Sequence, residues 1–176
     1  MRTPRLSRPK SARAVARRAS TLPEFGRNLR DWFHELRLLT SREELARACA
    51  VRPPRRGRDF RDGGVADAFL AAQVEYLCLS AAVRPPRWVY DPCYVLRDPW
   101  FPGNPANPHL RALLIRDAPP PFLNRNLFTT PEITWQPKPG RPRLRSSAEL
   151  AESNRVRQKR WRARARTAAT RTPERS

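Results

Sequence analysis

Three proline clusters, Pro53-Pro54, Pro85-Pro86 and Pro119-Pro120-Pro121, limit helix length in this 176-residue chain. Proline lacks the amide a helix needs and disfavours helical geometry in the residue before it, so helices must stop short of each cluster or start at it. The longest apolar stretch lies between the first two. From Val65 to Ala82, Val65, Ala68, Phe69, Ala72, Tyr76, Leu77 and Leu79 give a wide apolar surface, and after Asp67 the only charge is Glu75. A helix so poorly charged belongs at the centre of a fold.

Shorter helices are legible on either side. Pro23 suits a first helical turn, and Phe25, Leu29, Trp32, Phe33, Leu36 and Leu39 recur at the spacing of one buried face until Thr40-Ser41. Ser41-Arg42-Glu43-Glu44 reads as a capping box opening a second helix to about Ala50. The stretch from Val51 to Arg58 is a basic loop, and Gly63-Gly64 closes the irregular region. Beyond the central helix, Trp88-Val89-Tyr90 is expected to pack back over it. Asp91-Pro92 can start a short helix to Leu96, Asp98-Pro99-Trp100-Phe101-Pro102 makes a rigid turn, and His109–Ile115 offers two more helical turns. Phe122, Leu127 and Phe128 would then hold the chain end on the core. No strand pattern competes. The reading is a small all-α domain over residues 22–134, stiffened by proline.

Charge divides the chain differently. Residues 1–21 carry seven Lys/Arg and no acid, and residues 138–176 carry thirteen against three, so the ends hold +17 of the formal +20. Such ends seek polyanions. Residues 1–21 read as a disordered basic arm, with Ser11–Ser20 the stretch best able to form a helix. An Arg-rich, acid-free start also describes an organellar transit peptide, the alternative to a bacterial cytoplasmic or nucleoid setting. Cys49, Cys78 and Cys93 are odd in number and lack CxxC spacing, which argues against a metal site or a disulfide framework. No run approaches the ~20 apolar residues of a membrane span.

Several local sequences carry a resemblance. Pro86-Arg87-Trp88-Val89, Asp98-Pro99-Trp100-Phe101, Leu110-Arg111-Ala112-Leu113 and Asn124-Arg125-Asn126-Leu127-Phe128 follow an aromatic first helix and a central helix ending near Tyr76. In that order, over roughly residues 22–130, the chain resembles a group of uncharacterised, chiefly actinobacterial helical proteins. Some of these look like antitoxin-side or regulatory partners of small toxin-type proteins. The resemblance implies a helical interaction domain with no assigned catalytic residues. The chain departs from the pattern where Asn124 and Asn126 dilute the basic closing motif.

The C-terminal segment carries the sharper motif. Lys138-Pro139-Gly140-Arg141-Pro142-Arg143 resembles an AT-hook. Glycine lets backbone approach a groove floor, proline keeps the course extended, and arginine enters a narrow minor groove. Pro139 replaces the basic residue usual before the glycine. Residues 135–146 thus form a linker bearing Gly140 and Pro142 as the groove turn. Residues 147–168 form a basic helix expected to fold on binding, and residues 169–176 are expected to be disordered. Ser146-Ser147-Ala148-Glu149 reads as a capping box, and Arg155, Lys159, Arg162 and Arg166 then share one face, with Arg160 beside Trp161. Like charges at that spacing repel until a polyanion screens them. A Gly-Arg-Pro-Arg element before such a helix also resembles tails on phage- and plasmid-associated bacterial proteins.

No Walker-type loop, HExxH or nucleophile motif is present, and His34 and His109 have no motif partner. The expectation is a non-enzymatic protein without cofactor or metal. Its DNA contacts would be Lys138, Arg141, Arg143, Arg155, Lys159, Arg160, Arg162 and Arg166, with the Arg52–Arg58 loop adding phosphate contacts. The alternative is an antitoxin-like module docking a neighbouring toxin-type protein through Trp88, Trp100 and Phe101.

Overall fold

The structure, a computed structural model, describes residues 8–136. Within them the fold is all-α: α1 (Ala12–Arg17), α2 (Leu22–Leu36), α3 (Arg42–Ala50), α4 (Gly63–Ser80), 3-10 turns at Arg87–Tyr90 and Pro92–Tyr94, α5 (Pro108–Asp117) and α6 (Pro120–Leu123). Prolines sit in the first turns of α2, α5 and α6, where a missing amide costs nothing. Ser41 and Glu44 close the expected capping box of α3, the Glu44 amide donating to the Ser41 hydroxyl and the Glu44 carboxylate accepting from the Ser41 amide.

The poorly charged helix is central. α4 packs against α1, α2, α3, α6 and both 3-10 turns. Ala66, Leu70, Ala71, Val74, Leu77 and Cys78 face the larger apolar cluster, and Ala68 and Ala72 meet Phe122 and Leu127 in a smaller one. Its start is fixed by a close approach. A Cβ on Gly63 would lie 2.0 Å from the Arg56 carbonyl oxygen, so only glycine fits there.

The N-terminal expectation is corrected. From residue 8 onward the chain is not an arm: α1 is capped by the Ser11 hydroxyl, which accepts from the Ala14 amide at 3.2 Å. Ala12, Val15, Ala16 and Ala19 are buried at i, i+3, i+4 and i+7, and α1 contacts α2, α3 and α4. Side chains from α2 and from the Arg52–Arg58 loop satisfy two of its carbonyls. Asn28 donates Nδ2–H to the Val15 oxygen, and Arg56 donates Nε–H to the Ala16 oxygen at 2.7 Å.

The other end of the domain is pinned as firmly. Gln73 on α4 donates Nε2–H to the Ile133 oxygen and accepts the Glu132 amide, and Trp135 donates its indole N–H to the Leu36 oxygen at 3.0 Å. Trp135 is buried, one residue past the expected boundary at 134. The described domain therefore runs from residue 8 to Trp135, with α1 inside it.

Candidate nucleic-acid interface

All eight basic residues read as DNA contacts, Lys138 through Arg166, and the Gly140–Pro142 turn lie outside the described residues. What the fold places is the basic surface of the domain itself. Residues 8–136 hold 21 Lys/Arg against 13 Asp/Glu, a net of +8. Dividing the chain at residues 21 and 138 leaves only +3 between them; the described domain is more basic because five bases between Arg8 and Arg18 belong to it.

The Arg52–Arg58 loop is largely spent on the fold. Arg52 donates to the Asp91 carboxylate at 2.7 Å and its guanidinium lies over the Tyr94 ring, 5.9 Å from the centroid. Asp91 also accepts the Cys93 amide, and that bond, with Arg52 beside it, holds its carboxyl below the usual value. Arg56 pairs with Asp59 at 2.6 Å while its amide and that of Gly57 donate to the Asp67 carboxylate. Burial nevertheless pushes the Asp67 carboxyl above its ordinary value. Only Arg55 and Arg58 of the loop's bases are left exposed without an ion pair among the described residues.

The aromatic partner surface is corrected in part. Trp88 is a core residue: it is buried, donates its indole N–H to the Cys49 oxygen at 3.1 Å, and meets Tyr94 edge-on. Trp100 and Phe101 are half-buried and internally engaged. Trp100 bonds through its backbone to Asn126 and Phe128, and Phe101 stacks on Phe128 at 4.7 Å with Arg111 over its ring. The most exposed described helix is instead α5. None of its residues is buried, and Leu110 and Ile115 are 48% and 45% exposed.

A buried ion pair ties the fold together. Arg125 donates to Glu75 on α4 at 2.6 Å, to the Pro121 oxygen and to the Val89 oxygen, tying three parts of the fold together. A cleft of about 150 Å³ passes this pair, bordered by Tyr90, Asp91, Val95 and Asn124. The pair's partners are internal, so the cleft offers no free charge for chemistry. His34 and His109 are exposed, and no cluster of three metal-ligating side chains exists among the described residues. No described helix is long and apolar enough to cross a membrane.

Sequence reasoning missed the outer face of α2. Arg27, Arg30, His34 and Arg37 are all exposed, and at ~100° per residue they fall within about 80° of the helix circumference. Their i, i+3, i+7, i+10 spacing was visible; attention to the buried Phe25–Leu36 face hid it.

No family model matches the chain, nor does any curated protein or solved structure. Function must therefore be argued from the residues.

Proposed function

We propose that this protein is a non-enzymatic nucleic-acid-binding accessory or regulatory protein, contacting DNA through residues 138–166. The observation that supports this reading is charge density: residues 138–176 net +10, against +8 for the much longer stretch 8–136. Arginine suits the task, because its planar fork binds phosphate and its charge persists at any physiological pH. The helical domain then serves as a folded anchor for that segment.

Affinity should fall steeply with salt. Six phosphate contacts give a slope of log K against log salt near −5, at ~0.9 per contact. Removing residues 138–176 is expected to reduce the slope by about that amount on A·T-rich duplexes in a gel-shift titration. Binding with the same slope after the deletion would remove the basis of the proposal.

A second reading, docking of a protein partner, is supported by α5 rather than by Trp88. Leu110 and Ile115 are exposed apolar side chains on a helix with no buried residue, and exposed apolar surface of this kind can serve docking. The double variant L110E/I115E should melt like the parent, since neither residue is buried, yet lose any stable complex with the product of a neighbouring gene. Size-exclusion chromatography showing an unchanged complex would dismiss α5.

A further inference from the structure

We infer that the outer face of α2 is a second phosphate-contacting surface, so that the folded domain itself touches nucleic acid. The inference deepens the proposed DNA-binding reading and rests on it for the choice of ligand. Three facts carry it.

The acids of α2 each have a partner off this face. Asp31 and Glu35 face Arg8, each at 3.8 Å, and Glu24 accepts the Ser20 amide at 2.8 Å. These three cluster on a neighbouring edge of the helix. The bases remain open. Arg30 and Arg37 make no ion pair among the described residues, and Arg27 has only Glu24 at 3.9 Å, an exposed and weak pair.

The dimensions also fit. From Arg27 to Arg37 the helix rises ~15 Å, while duplex DNA presents one phosphate per ~1.7 Å of axis, so the row can follow several phosphates. The face does not suit an anionic membrane. Between Arg27 and Arg37 every exposed residue is an arginine or His34 and only Leu38 follows as an exposed apolar side chain, whereas an interfacial helix needs a face of large apolar side chains beside its bases.

The test uses the full chain with Arg30→Gln and Arg37→Gln together, compared with Arg84→Gln and Arg87→Gln, which remove equal charge from exposed positions on the far side of α4 in sequence. Duplex binding is measured across salt, with anionic vesicles as a second ligand. Expected is a loss of about tenfold or more near 0.1 M salt and a slope shallower by about 2 for the α2 variant only. An equal loss in the Arg84/Arg87 variant overturns the inference, because net charge alone would then explain binding. So does an unchanged slope, or an effect confined to vesicles. If deletion of 138–176 abolishes binding while the α2 variant binds normally, the inference fails and the tail reading stands. If the α2 variant weakens binding while the deletion does not, the tail reading fails alone.

Discussion

Arg125→Ala is expected to cost about 3–5 kcal/mol, because it leaves the Glu75 carboxylate and two carbonyl oxygens buried without donors. The side chains of Arg125 and Glu75 are only 4% and 9% exposed, so water cannot replace the lost partner. The guanidinium reaches α4, the Arg87–Tyr90 turn and α6 at once, and lysine, with a single charged nitrogen, should not restore all three. A drop in Tm of order 10 °C or more would follow in calorimetry. The double replacement E75L/R125L should recover part of the loss, since no charge then remains buried. A melting temperature within a few degrees of the parent for Arg125→Ala would show that the pair does not hold these elements together.

Truncation at the N-terminus gives the second large effect. Removing residues 1–20 takes away Ala12, Val15, Ala16 and Ala19, all at or below 1% exposure, and opens the surfaces of α2, α3 and α4 that they cover. Val15 alone is worth about 1.5–3 kcal/mol and each alanine methyl about 0.8 kcal/mol, a large share of the ~5–15 kcal/mol that keeps a domain folded. The Arg56 and Asn28 bonds to α1 vanish as well. The shorter chain should lose cooperative unfolding by circular dichroism. Retained cooperativity would mean that α1 is dispensable.

How much of this was legible in the sequence follows from side-chain size and locality. α2, α3 and α4 were readable because large apolar residues recur at helical spacing, or because a Ser-x-x-Glu box marks the start. α1 was not, because its buried face is alanine and a single valine. Such small groups give little hydrophobic signal beside five bases, although the i, i+3, i+4, i+7 pattern of Ala12, Val15, Ala16 and Ala19 was there. Trp88 was read two ways, as packing back over the central helix, which holds, and as partner surface, which does not, because a tryptophan flanked by Arg87 and Tyr90 reads as well outward as inward. The Cys49 oxygen that captures its indole lies 39 residues away, beyond any local pattern. The same holds for Glu75 and Arg125, 50 residues apart. Glu75 was noticed as the lone charge of the central helix, but its partner could be found only in three dimensions. Asn126 had been noted for diluting a basic motif. Its backbone lies in the left-handed region at φ 56° and its side chain donates Nδ2–H to the Leu96 oxygen at 2.7 Å, a turn that asparagine tolerates better than arginine.

The bond from the Trp135 indole to the Leu36 oxygen has a consequence for avidity. It fastens the last described residues to the C-terminal end of α2, one residue from Arg37. If the proposed contacts of the α2 row and of residues 138–166 both engage phosphate, they act, tethered by the intervening chain, as one bivalent ligand: once either engages, the other binds at a raised effective concentration. Neither contact then needs high affinity of its own. Loss of the Trp135 anchor would lengthen the tether and loosen that coupling while leaving every arginine in place.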